Sequence, residues 1–299
     1  MDFELEMKFL VTGSAGLIGS QVTKDLTLEN HKVYSCYHDN KPIHGNPLYF
    51  DLTNQNKIIR TIQEIKPDSI IHLAAMTNVD QCETQQKLAY LINTKSTEIL
   101  AKQAAKLDAF FVYVSTDYIF DGRRGKYSED DSTNPLGYYG KSKFKAEEAL
   151  NKLASSWCIA RTSTPFGIHL NKTSFPIWIK ENLEAKKEIP VLVDQFTSPT
   201  YVPNLSKMLI EIAKRQISGI LHTAGSSRIS RYELAKLVSE KLHLDKKLLK
   251  PTQINEMTWN AQRPRDSSLD VSKATEILNE KPQTIQYSLN LLIDEILKK

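Results

Sequence analysis

Cysteine is scarce in this chain, with only Cys36, Cys82 and Cys158 among 299 residues. Three dispersed cysteines cannot build a disulfide framework, and their spacing fits no metal-ligand motif. We therefore expect buried thiols, a reducing cytoplasmic location and no metal site.

Long apolar runs and one-sided charge are missing as well. No apolar stretch approaches the roughly 20 residues that would span a bilayer, and residues 1–7 lack the basic start and apolar core of a secretory signal. The 39 basic and 35 acidic residues are interspersed, without the basic blocks that follow a nucleic-acid backbone. We therefore expect no membrane and no nucleic-acid partner, while a basic pocket for a phosphorylated small molecule stays compatible with the charge of +4.

Short β-branched or aromatic runs alternate with longer segments of helical period through the first half of the chain. Strands are predicted at residues 8–12, 32–37, 69–73, 110–115 and 157–161. Helices are predicted between them at residues 17–29, 54–66, 85–106 and 139–153. Because parallel strands joined by crossover helices form α/β folds, the pattern predicts a Rossmann-like doubly wound parallel sheet.

The rhythm changes after residue 161. A loop is predicted at 164–173 and a strand at 189–193. Helices are predicted at 174–187, 204–215, 230–242 and 288–297. A buried-type strand near 218–224 is expected to return to the main sheet. Residues 1–162 with that strand are thus predicted to form a dinucleotide-binding domain. Residues 163–217 and 225–299 are predicted to form a smaller C-terminal α/β substrate-binding lobe over the strand ends, where doubly wound sheets bind ligands.

A glycine-rich loop follows the first predicted strand and opens the first predicted helix. Gly13, Gly16 and Gly19 have the spacing G-x-x-G-x-x-G, one residue longer than the dinucleotide fingerprint. Such glycines let the chain turn tightly, let amides approach a pyrophosphate and seat the helix on the strand. These glycines, with Leu17 and Ile18 at the helix N-terminus, are candidate cofactor-binding residues; a plain tight turn is the alternative.

Further cofactor candidates follow the next strands. Asp39 could accept a hydrogen bond from an adenine-ribose hydroxyl and favour NAD, whereas His38 or Lys41 could pair with a 2′-phosphate and favour NADP. The choice stays open, with NADP(H) slightly favoured over NAD(H). The remaining candidates, for each of which turn or packing duty is as good an interpretation, are Asp51, Leu52, Ala74, Ala75 and Met76.

A tyrosine and a lysine four residues apart form the candidate proton relay. Tyr139 and Lys143 begin a predicted helix after a turn-forming segment, so both side chains share one helical face. This pair follows a strand that ends in hydroxyls, including that of Thr116. The matches at residues 37–41 and 232–236 have the same spacing without that context.

These three side chains can support a reduction. The Lys143 ammonium is expected to lower the pKa of the Tyr139 phenol, which makes the phenol a competent acid or base. Lys143 would also bind the nicotinamide ribose, and the Thr116 hydroxyl would polarise the substrate carbonyl. The sequence thus predicts protonation of an oxygen by a phenol while a nicotinamide delivers hydride to its carbon. The alternative is an exposed lysine beside a packing tyrosine.

Taken in order, the motifs resemble the extended short-chain dehydrogenase/reductase family and, within it, the dTDP-4-dehydrorhamnose reductases. The likeness runs nearly from end to end. The segments that carry it are residues 11–13, 51–53, 74–80, 115–122, 139–143, 161–163, 198–203, 230–233, 263–264 and 267–270.

The resemblance implies reduction of the 4-keto group of a nucleotide-linked 6-deoxyhexulose, giving a product of the dTDP-L-rhamnose type. Thr116, Tyr139 and Lys143 match the catalytic trio. Thr77 and Asp117 are implied to face the sugar.

Two more positions bear on substrate binding. Arg263 could meet the nucleotide diphosphate, since a guanidinium fork suits phosphate oxygens; a surface ion pair is its alternative. Thr164 stands where such reductases commonly carry a tryptophan that lines the sugar pocket, so a stacking surface is removed.

The same motifs also resemble the regulatory β subunit of methionine adenosyltransferase, which keeps the dinucleotide fold but acts as a binding partner. Under this interpretation the chain binds NADP and docks to an enzyme subunit. An epimerase or dehydratase that uses bound NAD internally ranks lower, because Asp117-Tyr118 stands where dehydratases carry an acidic pair. The expected partner is a nucleotide-sugar substrate, and a homodimer stays open.

Overall fold

The computed structural model describes residues 6–153 and 156–298, and a seven-stranded parallel sheet forms its centre. The strands are β1 (Lys8–Thr12), β2 (Lys32–Tyr37), β3 (Asn46–Tyr49), β4 (Ser69–His72), β5 (Phe110–Thr116), β6 (Trp157–Thr162), β7 (Pro165–Phe166), β8 (Ile189–Leu192), β9 (Phe196–Thr197), β10 (Thr200–Tyr201), β11 (Gly219–His222), β12 (Ile229–Ser230) and β13 (Leu249–Thr252). The sheet order is β11-β6-β5-β4-β1-β2-β3, which confirms the predicted fold class. The order reverses between β1 and β4, where doubly wound sheets open a ligand crevice.

Helices cover both faces of this sheet. They are α1 (Leu17–Leu28), α2 (Gln55–Ile65), α3 (Val79–Thr84), α4 (Gln86–Ala89), α5 (Ser96–Lys106), α6 (Tyr138–Asn151), α7 (Phe175–Glu184), α8 (Val202–Arg215), α9 (Arg231–Lys241), α10 (Ser272–Ile277) and α11 (Ile285–Leu297). None of the helices in the described ranges is both long and apolar enough to cross a membrane.

The alternation of side chains along the strands builds two cores. Phe9 and Val11 in β1 are fully buried in the core that includes Leu26 of α1 and residues of α8. Leu10, which points to the other face, packs in the core with Ile62 of α2 and residues of α5 and α6. Because both faces are covered, the strands read as continuous apolar runs.

A third core lies among the elements after β6. Leu234 and Val238 of α9 and Leu289 of α11 are buried there, against the parallel pair of β8 and β13. Helix α9 begins where it does because Ser230 and Glu233 form a reciprocal capping box. Strand β11 leaves this region and pairs with β6 in the main sheet.

Several sequence predictions about local structure were wrong or incomplete. The segment 164–173, predicted to be a loop, contains β7, which pairs with β10. The helix predicted over 85–106 is interrupted by a π-helical turn at Tyr90–Lys95, whose cause lies in the site described below. Helix α3 was also not anticipated; it begins because the Asn78 side chain accepts a hydrogen bond from the Gln81 amide.

Candidate active site

The glycine loop between β1 and α1 is shaped for close backbone contacts. Gly13 has a φ of +67°, and a Cβ there would lie 2.8 Å from the Ala74 nitrogen. A Cβ on Gly19 would lie 2.1 Å from the Gly13 oxygen, so this glycine lets α1 seat on β1. Helix α1 starts at Leu17 without a side-chain cap. Its first N–H groups, including that of Ile18, are therefore well placed to receive an anion.

A cleft of about 430 Å³ opens beside this loop, at the carboxyl ends of β1, β2 and β4. The predicted cofactor residues that line it are Gly13, His38, Asp39, Asp51, Leu52, Ala74, Ala75 and Met76. Those outside its lining are Gly16, Leu17, Ile18, Gly19, Tyr139 and Lys143. At its mouth, His38 Nδ1 lies 2.7 Å from the Asp39 carboxylate. Hydrogen bonds from Thr53 lower the pKa of Asp51.

A buried chain of hydrogen bonds supports the floor of this cleft. The Thr12 hydroxyl accepts from the amides of Leu73 and Ala74, each at 3.1 Å. Its own proton must therefore go to Nδ1 of His72, 2.6 Å away. Nε2 of His72 then donates to the Thr97 hydroxyl at 2.9 Å. This direction requires a neutral imidazole, in agreement with burial lowering the pKa of His72 to about 3.

We expect His72 to make the stability of the protein depend on pH. Its pKa in the folded state lies below the usual 6.5, so the unfolded chain binds a proton that the folded chain excludes. Its stabilising contribution is complete above about pH 6.5 and falls as the pH drops towards 3. Between pH 7.5 and 5.0 the loss should be about 2 kcal/mol.

Urea unfolding at the two pH values measures this effect. His72→Gln should flatten the dependence by about that amount, whereas His243→Asn at an exposed position should leave it unchanged. An equally steep dependence in His72→Gln would rule out His72 as its source. The buried His222, whose pKa also falls to about 3, should supply part of what remains.

The strand-end hydroxyl and the phenol of the predicted relay meet. Thr116 ends β5, Tyr139 lies in the first turn of α6, and the Thr116 hydroxyl lies near enough to the Tyr139 phenol to act on its pKa. The Tyr118 amide donates to Thr116 Oγ1 at 3.2 Å, and the Tyr118 ring stands edge-on to that of Tyr139, with centroids 6.0 Å apart. Burial raises the pKa of Tyr139, and the Thr116 hydroxyl opposes this shift. The phenol is thus held in its protonated, donating form.

Lys143 lies on the same face of α6, but its charge is directed elsewhere. Its side chain is buried, and Nζ donates to the Val114 carbonyl at 2.8 Å and lies 4.2 Å from the centroid of the Tyr113 ring. Burial lowers the pKa of Lys143 to about 7, an effect that Glu147 opposes. The expectation that Lys143 lowers the pKa of Tyr139 was therefore wrong for this structure, because burial dominates and the shift is upward.

Asp117 is buried beside Thr116 and is fully hydrogen-bonded. One carboxylate oxygen accepts from Ser163 Oγ at 2.8 Å and from Ser267 Oγ at 2.5 Å, and the other accepts from Thr116 Oγ1 at 3.1 Å. Burial raises the pKa of this carboxyl group. Asp117 therefore orients the Thr116 hydroxyl and joins β5 to the segments at 163 and 267.

The π-helical turn carries a residue that links the cleft to α6. Asn93 accepts from the Met76 amide at 2.7 Å and donates to the Met76 carbonyl at 3.0 Å and to Ser142 Oγ at 2.9 Å. The next residue, Thr94, donates to the Ser142 carbonyl at 2.7 Å. The wider turn brings these two consecutive side chains onto α6, which explains the interruption of the helix.

Sequence reasoning missed several residues that build this site: His72, Asn93, Ser163 and Ser267. One signal could have revealed Asn93. Buried polar residues stand at positions 93, 94, 96 and 97, in a helix whose inner face should otherwise be apolar. Among the residues that the structure describes, no cluster of three or more His, Cys, Asp or Glu is arranged to hold a metal ion.

The predicted substrate residues differ in exposure and in their hydrogen-bond partners. Thr77 is exposed, whereas Thr164 has a φ of +43° and accepts a hydrogen bond from Arg231 at 3.3 Å. The Arg263 fork is bound to Asp80 at 3.0 and 2.6 Å. It borders a pocket of about 770 Å³ lined by Phe196, Trp259, Arg228, Arg265 and neighbouring residues.

Comparisons with known proteins agree with this architecture. The model of the RmlD substrate binding domain family matches residues 7–298. A dTDP-4-dehydrorhamnose reductase of Aggregatibacter actinomycetemcomitans is 32% identical, covering 94% of this chain and 97% of the relative. Methionine adenosyltransferase 2 subunit beta of Xenopus tropicalis is 31% identical, covering 90% of this chain and 81% of the relative. A crystal structure of dTDP-4-dehydrorhamnose reductase from Bacillus anthracis in complex with NADP has a TM-score of 0.88 at 28% identity, covering 97% of this chain and 100% of that one.

Proposed function

The chain belongs to the RmlD substrate binding domain family, and on that premise we propose that it is an NAD(P)H-dependent oxidoreductase. Its proposed reaction is reduction of the 4-keto group of a nucleotide-linked 6-deoxyhexulose, as in dTDP-4-dehydrorhamnose reductases, with a dTDP-L-rhamnose-type product. The observation that carries the proposal is the proximity of the Tyr139 phenol to the Thr116 hydroxyl at the end of β5. It places a protonated phenol and a hydroxyl where a carbonyl oxygen could accept from both.

The cofactor assignment is NADP(H), with NAD(H) as the alternative. The cleft fits a dinucleotide, because Gly13 and Gly19 have no room for a Cβ and the uncapped start of α1 suits a pyrophosphate. His38 at its mouth can pair with a 2′-phosphate, and the Bacillus anthracis structure contains NADP. A bound reduced nicotinamide would supply hydride to the carbonyl carbon.

The proton chemistry falls to the chain's own residues. Tyr139 gives its proton to the carbonyl oxygen. Burial keeps the phenol protonated at neutral pH, and the Thr116 hydroxyl opposes the rise in pKa that makes the phenol a weaker acid. Thr116 is proposed to donate to the same oxygen as negative charge develops, once its single proton turns away from the Asp117 carboxylate that accepts it in the structure. Lys143 is proposed to bind the cofactor ribose once its ammonium leaves the Val114 carbonyl.

The nucleotide part of the substrate is proposed to occupy the 770 Å³ pocket. Trp259 and Phe196 offer ring surfaces there for a base. Thr77 and Thr164 are proposed to contact the sugar; the exposure of Thr77 leaves it free to do so.

The test of this function is oxidation of a reduced nicotinamide. The protein is mixed with NADPH or NADH and a dTDP-linked 4-keto-6-deoxyhexulose, and the absorbance of the reduced cofactor is followed. Loss of absorbance that depends on the sugar nucleotide is expected. If neither cofactor is oxidised, the protein is not this reductase.

A second candidate is a regulatory subunit without turnover, which the Xenopus tropicalis relative supports. Under this alternative the protein binds NADP and forms a complex with a methionine adenosyltransferase catalytic subunit, while the nicotinamide assay stays silent. Co-elution with that subunit, measured alongside the assay, separates the two functions.

Three wider features are part of the proposal. Residues 1–162 with the return strand near 218–224 are proposed as the dinucleotide-binding domain, and 163–217 with 225–299 as the substrate-binding lobe. A cytoplasmic location is supported by three buried free thiols. A homodimer is supported by the exposed apolar side chains of Leu88, Tyr90 and Leu91, and light scattering tests it.

A further inference from the structure

Arg231 carries a partly buried charge without a carboxylate partner among the described residues. Nη2 donates to Thr164 Oγ1 at 3.3 Å and Nε donates to Gln195 Oε1 at 3.4 Å, both neutral acceptors at long distances. The guanidinium carbon lies 5.0 Å from the centroid of the Phe175 ring. Burial lowers the pKa of Arg231, which reflects the cost of holding this cation away from water.

The other arginines differ from Arg231 in this respect. Those with a carboxylate oxygen in ion-pair range are Arg123, Arg124, Arg161, Arg215, Arg228, Arg263 and Arg265. Arg60 has no such partner in the described part of the chain, but its side chain is exposed to solvent. Among acidic groups, the Tyr118 phenol acts on Arg231 most strongly and Asp117 is the carboxyl group that follows it, but Asp117 already accepts from three hydroxyls. A guanidinium desolvated without an anion is unfavourable, so this one is suited to an anion from a ligand.

The position of Arg231 indicates which anion of a ligand it could bind. Gln195, which meets its Nε, also hydrogen-bonds Tyr118, whose ring contacts Tyr139. On the other side, Phe196 follows Gln195 directly and lines the 770 Å³ pocket. Ser230, which precedes Arg231, pairs with Phe196 as well, so Arg231 lies near both the site of reduction and the proposed nucleoside pocket.

We propose that Arg231 binds the diphosphate of the nucleotide-sugar substrate through its guanidinium fork. A sugar at Tyr139 and a base in the pocket leave the diphosphate between them, and the fork of this arginine is not engaged by a carboxylate. Arg263, the candidate from sequence, has its fork engaged by Asp80. The inference rests on the proposed function for the sugar, but binding of a nucleoside diphosphate tests it without catalysis.

The test compares dTDP with thymidine by calorimetry on the wild-type protein and on Arg231→Met. The Kd for dTDP should rise on the order of 10- to 100-fold, while the Kd for thymidine stays within about twofold. Arg231→Lys, which keeps the charge but loses the fork, should recover part of the dTDP affinity. Arg60→Met removes the same charge from the surface and should change neither Kd.

Two further measurements on Arg231→Met distinguish a loss of diphosphate binding from a general loss of structure. Arg231→Met should retain its affinity for NADP and its melting temperature, and in the nicotinamide assay it should raise KM more than it lowers kcat. Unchanged dTDP binding in Arg231→Met overturns the inference and leaves the reductase assignment standing. If Arg231→Met weakens dTDP binding but the wild-type protein oxidises neither reduced nicotinamide, the diphosphate site at Arg231 is supported and the reductase assignment is wrong.

Discussion

Tyr139→Phe should lower kcat about 1,000-fold while leaving the affinity for NADP(H) within about twofold of the wild type. The phenol is the group that lies beside the Thr116 hydroxyl, and burial keeps it protonated. Phenylalanine retains the ring and its edge-on contact with Tyr118 but has no proton to give. The measurement is steady-state oxidation of NADPH with the 4-keto sugar nucleotide, together with a fluorescence titration of the cofactor.

The neighbouring tyrosine provides the matched control. Tyr138 is in the same helical turn, and Tyr138→Phe removes one hydroxyl outside the contact with Thr116. It should keep at least half of the wild-type kcat. Should Tyr139→Phe retain more than a tenth of the wild-type kcat, another group must supply the proton, and the relay assigned to α6 would be wrong.

The raised pKa of Tyr139 also bears on how the rates of reduction and of alcohol oxidation depend on pH. Reduction uses the protonated phenol as the acid, whereas oxidation of an alcohol needs the phenolate as base. Since burial raises the pKa of Tyr139, alcohol oxidation should become competitive only at alkaline pH. Rates in the two directions measured from pH 6 to 10 would test this asymmetry.

Local patterns in the sequence predicted those parts of the site that depend on local structure. The four-residue spacing put Tyr139 and Lys143 on one face of α6, and the apolar run before Thr116 predicted β5. The direction of the Lys143 ammonium was not predictable in this way. Its partner is the Val114 carbonyl, 29 positions earlier in the chain, and only the packing of α6 on β5 brings the two together.

The second part of the site depends on convergence of distant segments. Asp117 was a candidate by resemblance, but its partners Ser163 and Ser267 come from beyond β6 and from the region before α10. Arg231 likewise meets Thr164 across 67 positions. Short polar residues at such separations carry no periodicity, so no pattern in the chain links them before the fold is known.

Arg161→Met should destabilise the protein strongly, lowering the free energy of unfolding by about 3–5 kcal/mol. Arg161 in β6 and Glu147 in α6 form an ion pair whose side chains are 4% and 1% exposed. Three contacts of 2.8 to 3.3 Å join the guanidinium to the carboxylate. Methionine fills much of the volume but leaves the carboxylate charged and unpaired in the interior, and urea unfolding at pH 7.5 measures the loss.

Two comparisons separate the buried charge from the loss of an ion pair as such. Lys250→Met breaks the exposed pair with Glu188 and should cost no more than about 1 kcal/mol. Arg161→Met with Glu147→Met should be more stable than Arg161→Met alone, because no unpaired charge is left behind. If the double variant is instead less stable than the single one, the stabilisation comes from packing. Glu147 lies one turn after Lys143 and raises the pKa of that lysine. The double variant lacks this carboxylate, so Lys143 should stay neutral down to a lower pH than in the wild type. The affinity of the double variant for the cofactor should therefore be lower than that of the wild type.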